Sequence, residues 1–319
     1  MDQAEALDRL RKSIRLKHLA YSTEETYCHW LVQFCRLLNT VPASLTSEQK
    51  IEKFLTGLAL KNYSASSQNQ AFCAILFFYR YCLCQKLVNI NALRAKRGQR
   101  IRNAPSREEV KLLLANIKDA GDYPVKLIVS LIYGCGLRVT EPLNLRIRDV
   151  LLNEGKLIIR AAKGDKDRIL SIPCSLTHKL EIQMRVAKTV WGRDLINKVP
   201  LKLPDRIAQK YPDARFSYRW AWLFPSLSPC IDPRSNQTVR WRMLECNIQR
   251  AIKQVCNKLN LDIQPHSLRH GYATHLLNNG VNPRSIQLAM GHTSLDTTIN
   301  YLHGDVLNIK SPLDNLINI

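Results

Sequence analysis

Residues 266–277 read HSLRHGYATHLL, which places His266, Arg269 and His270 within five positions of one another. On a helix, His266 and His270 would share one face, as two ligands of a zinc ion can. A pair of satisfied polar side chains on a half-buried helix is the ordinary alternative. Arg269 favours a third interpretation. Its guanidinium would repel a divalent cation and would, with His266, offer several hydrogen-bond donors to a phosphate.

The charge of the whole chain favours an anionic partner. The 319 residues include 47 Lys and Arg against 26 Asp and Glu, which gives a formal net charge of +21 and an isoelectric point near 9.7. The excess is not a terminal tail, since 15 basic and 7 acidic residues lie within the first 100. A basic excess spread over the chain indicates nucleic acid, with a solvated basic surface as the alternative.

The sequence contains no recognisable export signal or membrane span. Its start, MDQAEALDRL, is charged, and the most apolar stretch, residues 71–84, is interrupted by Arg80. Ten cysteines are scattered without a CxxC pair, so we expect them to be reduced. These features predict a cytoplasmic protein without a metal.

Two mainly helical domains are predicted. A capping box of Ser22 and Glu25 is expected to open a helix, and two more helical patterns follow before residue 90. We therefore expect residues 1–93 to form a small helical domain. Residues 94–104 are rich in Arg and Lys, contain no acidic residue and lack apolar periodicity, which predicts an exposed linker along a phosphate backbone.

The second predicted domain covers residues 105–319. Ser106 and Glu109 form another candidate capping box at its start. Residues 156–173 contain two β-rich arms around a Gly-Asp turn, which predicts a β-hairpin. The region around residues 200–240 is less regular and rich in Pro, Arg and aromatic residues.

Several segments of this domain contain a side chain that suits phosphate binding or proton transfer. Each has an ordinary explanation by itself, such as a solvated turn lysine or a packed tyrosine. In chain order, the candidate catalytic residues are Arg138 after two glycines, Lys163 in the hairpin turn, His266, Arg269, His292 in a Gly-His turn, and Tyr301 nine residues later.

This order strongly resembles the tyrosine recombinase, or phage integrase, family, with its GLRxxE, hairpin lysine, HxLRH, Gly-His and final tyrosine. The match extends from about residue 105 to the tyrosine, and residues 22–34 resemble the family's core-binding domain. The resemblance implies a mainly α fold with a small β-hairpin or sheet in the catalytic domain. It also implies a two-domain C-clamp that is a monomer free in solution and a homotetramer on two DNA sites.

The chemistry explains why such an enzyme needs these residue types. Exchange of phosphodiesters without ATP requires a covalent enzyme–DNA link, for which the oxygen of Tyr301 is a suitable nucleophile. Its ordinary pKa near 10 calls for a cationic site. Two guanidiniums, from Arg138 and Arg269, would stabilise charge on the non-bridging phosphate oxygens, where other enzymes use Mg²⁺.

The resemblance also implies roles for the remaining residues. Lys163 would protonate the leaving 5′-oxygen as a general acid. His266 would orient the phosphate and help to move the tyrosyl proton, and His292 would donate to a phosphate oxygen. Glu141 is expected to support the turn at Arg138, and His270 to lie behind the reacting groups.

Within the family, the strongest resemblance is to integron integrases, because roughly 100 residues separate Lys163 from His266 and include an insertion-like region. In that subfamily the insertion grips bases that protrude from a folded, single-stranded recombination site. The typical Arg-Arg-His-His run is replaced here by VRWRM, residues 239–243. Packing in the core is the alternative for Trp220 and Trp222. The candidate base-contacting residues are Trp220, Pro233, Arg240, Trp241 and Arg242.

The sequence thus predicts an integron integrase that integrates and excises gene cassettes through a 3′-phosphotyrosyl intermediate, without a cofactor or metal. Its partners would be a duplex attachment site and a folded single-stranded cassette site, in the bacterial cytoplasm on the nucleoid. The alternatives are a phage-type or chromosome-dimer-resolving recombinase on duplex sites, a type IB topoisomerase and a non-catalytic DNA-binding remnant. The insertion argues against the recombinase on duplex sites and against the topoisomerase. The six suitable catalytic positions argue against the non-catalytic remnant.

Overall fold

The structure is a computed structural model that describes residues 2–87, 90, 104–119, 123–162 and 166–291. The chain forms two units, Met1–Ile101 and Arg102–Ile319. The division falls inside the stretch predicted as a linker, most of which lies outside the described residues. Three predicted catalytic residues also lie outside them: Lys163, His292 and Tyr301.

The described part of the first unit contains four helices: α1 (Gln3–Leu16), α2 (Tyr21–Leu38), α3 (Ser47–Leu60) and α4 (Ala65–Cys82). Each buries one apolar stripe in a common core that includes Leu10, Ile14, Phe34, Ile51 and Ile75. Burying side chains of this size stabilises the unit by about 1.5–3 kcal/mol each. The sequence had indicated three of these helices, and α1 is an addition.

The predicted capping box at Ser22 is wrong. Helix α2 begins at Tyr21 after the extended residue Ala20, so Ser22 lies within the first turn and no side chain caps the helix. The backbone N–H groups of Thr23 and Glu24 donate to the carbonyl of Ala20. Helix α2 therefore begins without a side-chain cap.

The second unit contains one central helix that is surrounded by several others. Its helices are α5 (Arg107–Asn116), α6 (Val125–Gly134), α7 (Thr140–Leu143), α8 (Cys174–Ile196), α9 (Asp205–Lys210), α10 (Glu245–Leu259), α11 (Pro265–Asn278) and α12 (Pro283–Met290). Because α6 is apolar around most of its circumference, it lies in the core and contacts α5, α8, α10 and α11. The capping box of Ser106 and Glu109 at the start of α5 is confirmed.

A three-stranded antiparallel sheet has the order β1 (Val150–Leu151), β2 (Lys156–Ala162) and β3 (Lys166–Ser171). The register pairs Lys156 with Ser171 and Ile158 with Ile169. The predicted hairpin is therefore confirmed as β2 and β3, although its turn lies outside the described residues.

Residues 200–240 form short elements that pack against the second unit. They include α9, two 3-10 turns and a two-stranded sheet of β4 (Cys230–Ile231) and β5 (Thr238–Val239). Trp222 is buried, so the interpretation of this residue as core packing is confirmed. We call residues 200–240 the insertion, after the prediction from the sequence.

Buried Arg146 joins the insertion to the rest of the unit. Its Nη1 donates to the carbonyl of Trp220 at 2.5 Å and its Nη2 to that of Lys202 at 2.9 Å. The guanidinium carbon also lies 3.6 Å from the ring centroid of Trp222. Throughout the ranges that the structure describes, no helix has the length and apolar character needed to cross a bilayer.

Candidate active site

The site is organised by the turn that leads from α6 to Arg138. Gly136 in this turn has a φ of +61°, and a Cβ atom there would lie 2.3 Å from Cδ1 of Tyr272 on α11. Both the backbone conformation and the close approach require glycine. Beside it, burial raises the pKa of the Cys135 thiol to about 12, so this cysteine is a neutral packing residue at physiological pH.

Glu141 joins three arginines. Its carboxylate accepts hydrogen bonds from the backbone N–H of Arg138 at 2.7 Å and from the Arg138 guanidinium at 2.8 Å. It also accepts two bonds from Arg168, at 3.0 and 2.7 Å, and lies 3.6 Å from Nη1 of Arg269. Glu141 thus supports the Arg138 turn, as the sequence predicted.

Glu141 remains an anion in this environment. Burial alone would raise its pKa, but the hydrogen bonds and charge of Arg168, with the backbone N–H of Arg138, hold that pKa below its ordinary value. One carboxylate among three guanidiniums leaves a local excess of positive charge. Such a cluster favours binding of a phosphate.

Arg269 is almost fully buried, whereas the side chain of Arg138 is 26% exposed. Nη1 of Arg269 donates to the carbonyl of Gly136 at 2.6 Å, and Nη2 donates to that of Met290 at 2.5 Å. Arg269 therefore fixes α11 to the Arg138 turn and to the end of α12. Its direct contact with a phosphate stays a prediction.

The predicted pairing of His266 and His270 on one helix face is confirmed. Their ring centroids lie 4.5 Å apart with an interplanar angle of 90°. His266 is exposed in the first turn of α11, and His270 is half-buried behind it. The positive end of the helix dipole adds to the attraction of an anion at His266.

The structure thus brings Arg138 and Arg269 together around Glu141, with His266 on the helix that carries Arg269. Sequence reasoning missed Arg168, which completes the ion pairs. The strand pattern could have identified Arg168, because on β3 it shares an inward face with buried Leu170 while Ile169 is exposed. A charged residue at an inward position of an alternating strand indicates a specific partner.

A cavity of about 660 Å³ lies beside the insertion. Its basic and aromatic lining includes Arg148, Lys210, Tyr211, Arg219 and Trp220. The guanidinium carbon of Arg148 lies 3.4 Å from the ring centroid of Trp220, and burial lowers the pKa of Arg148. Guanidiniums and flat rings of this kind are the groups on which nucleobases stack.

Three other candidates for base contact are accessible to different degrees. Pro233 is exposed. Trp241 is half-buried, with the ammonium of Lys202 5.9 Å from its ring centroid. Arg242, also half-buried, pairs with Glu245 at 3.0 Å.

Arg240 has a structural role. It is buried, and it donates two hydrogen bonds to Asp194, at 2.7 and 2.5 Å, and one to the carbonyl of Ser226 at 2.8 Å. A contact with a base would require separating this bidentate buried ion pair, which is costly. The structure therefore corrects the predicted contact of Arg240 with bases.

Comparison with known proteins agrees with these observations. Residues 106–307 match the model of the phage integrase family, and residues 6–88 match that of the phage integrase N-terminal SAM-like domain. An Escherichia coli protein named integrase/recombinase is 35% identical over 320 residues, which cover 97% of this chain and 93% of that protein. The tyrosine recombinase XerA of Pyrococcus furiosus is 27% identical, with 98% and 94% covered.

Solved structures show the same two-domain, mainly helical fold. The XerH recombinase in a pre-cleavage complex with difH is similar with a TM-score of 0.61 and 18% identity, covering 100% of this chain and 84% of that one. A lambda integrase dimer bound to a COC′ core site gives a TM-score of 0.60 and 15% identity, with 97% and 80% covered. With helices, antiparallel sheets and both family matches in agreement, this chain belongs to the phage integrase family of tyrosine site-specific recombinases.

Proposed function

We propose that this recombinase is an integron integrase, which integrates and excises gene cassettes of a mobile genetic element. The observation that carries this proposal is the insertion, which packs onto the rest of the second unit and borders a basic, aromatic cavity at Trp220. A recombinase that acts only on perfect duplexes has no need of a pocket for unpaired bases.

In the proposed reaction, the oxygen of Tyr301 bonds to the scissile phosphorus as the bond from phosphorus to the 5′-oxygen breaks. Lys163 supplies the proton to the leaving oxygen, and His266 helps to remove the tyrosyl proton. The product is a 3′-phosphotyrosyl link and a free 5′-hydroxyl. A second 5′-hydroxyl then reverses the step on a new strand.

The proposed phosphate site consists of Arg138, Arg269 and His292. The cluster around Glu141 supports this assignment, because it holds the two arginines at one carboxylate with an excess of positive charge. Donors that are fixed before the reaction stabilise the charge of the transition state without reorganisation.

The proposed base-recognition surface consists of Trp220, Pro233, Trp241 and Arg242, with Arg148 and Tyr211 at the cavity. A pocket of a few hundred Å³ or more suits a small planar ligand. Because Arg148 stacks on Trp220 and Arg146 lies 5.5 Å from the same ring centroid, an extrahelical base would stack on the exposed part of the indole or on the Arg148 guanidinium.

We also propose a homotetramer that forms on two DNA sites from free monomers and acts on the nucleoid in the bacterial cytoplasm. One site would be a duplex attachment site and the other a folded single strand. The similar lambda integrase structure is a dimer bound to a core site, which supports assembly on DNA.

The decisive experiment compares the two DNA forms. Imperfect palindromes flanking the encoding gene are offered as a folded bottom strand and as a duplex, and covalent adducts are resolved on denaturing gels. Adducts that form preferentially on the folded strand support the proposal. Adducts on the duplex alone would instead favour a Xer-like role, to which the similarity with XerA points.

A further inference from the structure

Arg168 lies on β3, five residues after Lys163 in the sequence, and its side chain is 8% exposed. A guanidinium at this depth needs partners for its donors. Its Nε donates to the carbonyl of Ala289 at 2.7 Å, its Nη1 to Oε1 of Glu141 at 3.0 Å and its Nη2 to Oε2 of Glu141 at 2.7 Å. One planar group thus joins the Arg138 turn to the end of α12.

The bonds to Glu141 affect the availability of the other arginines. The same carboxylate accepts from Arg138 at 2.8 Å and lies 3.6 Å from Arg269. If Arg168 did not balance its charge, the carboxylate would draw on Arg138 and Arg269 alone. It would then compete with a phosphate for their donors.

The bond to Ala289 acts at a second place. The last carbonyls of a helix have no hydrogen-bond donor within the helix. Here Arg168 donates to the carbonyl of Ala289, and Arg269 donates to that of Met290. The chain then turns at Gly291, with a φ of +63°, where a Cβ atom would lie 3.2 Å from Nη1 of Arg168. The backbone therefore closes around this guanidinium immediately before His292.

We infer that Arg168 is a positioning residue of the active site, which holds Glu141 and the end of α12 so that Arg138 and Arg269 direct their donors to one phosphate. The inference rests on the proposed roles of those two arginines and extends them to a buried side chain that supports both. It also assigns β3 a role in connecting the hairpin to the phosphate site.

The test is Arg168→Lys, because an ammonium cannot reproduce the planar fork that reaches both Glu141 and Ala289. We expect DNA affinity within about threefold of the wild type and single-turnover cleavage at least about tenfold slower. The control is Arg185→Lys on α8, where the arginine is exposed and pairs with its helical neighbour Glu181.

The probes are the folded bottom strand and the duplex of the same imperfect palindrome, and affinity is measured at fixed salt. If the wild type forms no adduct, the proposed function fails. If the wild type and Arg185→Lys cleave and Arg168→Lys cleaves equally fast, only the role of Arg168 fails. A parallel loss of affinity and rate also overturns it, because a general structural defect would produce that pattern.

A second comparison, in which Arg168→Gln is added to Glu141→Gln, keeps the inference testable if Arg168→Lys does not fold. The combined variant removes one positive and one negative charge together, so the net charge of the cluster is unchanged. Because Arg168 acts through both Glu141 and the carbonyl of Ala289, adding Arg168→Gln to Glu141→Gln is expected to slow cleavage, but by less than about tenfold. A full tenfold further loss would show that Arg168 does not act through Glu141, and no further loss would show that its bond to Ala289 has no effect.

Discussion

Trp220→Ala is expected to weaken binding to a DNA hairpin with extrahelical bases more than binding to the same hairpin without them. Stacking a base on an aromatic ring contributes about 1–3 kcal/mol. Arg148 already stacks on Trp220, at 3.4 Å, and Arg146 lies 5.5 Å from the same ring centroid, so a base can contact only part of the indole. We therefore expect the lower part of the range, about 1–2 kcal/mol, or roughly 5- to 30-fold in affinity.

The assay is a double-mutant cycle that crosses the protein substitution with deletion of the extrahelical bases. Affinities are measured at fixed salt, because phosphate contacts contribute similarly to both hairpins and vary with ionic strength. Trp220→Phe retains a ring and is expected to lose less of the coupling. Thermal denaturation of each variant establishes that it is folded. Coupling below about 0.5 kcal/mol in folded Trp220→Ala would show that this indole only packs, and the role of the cavity in base recognition would be wrong.

Four further outcomes are expected. Tyr301→Phe abolishes the covalent adduct but leaves DNA binding nearly intact, and an adduct that survives on denaturing gels would place the nucleophile elsewhere. Arg138→Lys and Arg269→Lys each slow cleavage severely, since an ammonium lacks the bidentate fork, so near-wild-type rates in either would refute its assignment. Cleavage persists in excess EDTA, and a loss restored specifically by Mg²⁺ would contradict this. Asp194→Ala leaves Arg240 buried without its partner and lowers the free energy of unfolding by about 3–5 kcal/mol in denaturant titration, where an unchanged midpoint would disprove the structural role.

The features predictable from the sequence were those encoded by local patterns. The hairpin follows from two β-rich arms around a turn, and the capping box at Ser106 from two residues three positions apart. The shared face of His266 and His270 follows from helical periodicity alone. These signals need no knowledge of what lies across the core.

The misplaced capping box is a local error, because α2 begins at Tyr21 and Ser22 therefore lies inside the helix. The other errors and omissions depend on contacts between distant segments. Asp194, the partner of Arg240, lies 46 residues away, and no local pattern in the sequence identifies it. Arg168 was missed for the same reason, since both of its partners are supplied by other parts of the fold.

Arg146 holds the insertion through the main chain at Trp220 and Lys202. A carbonyl oxygen is present whichever amino acid occupies a position, so these two anchors survive almost any substitution in the segment. Substitutions at exposed positions such as Arg219 and Tyr211 can therefore change the surface of the insertion, while the two hydrogen bonds from Arg146 are retained. Conversely, if the insertion were grafted onto a relative that lacks an arginine at this position, it would keep its own side chains but lose the two hydrogen bonds that hold it in place.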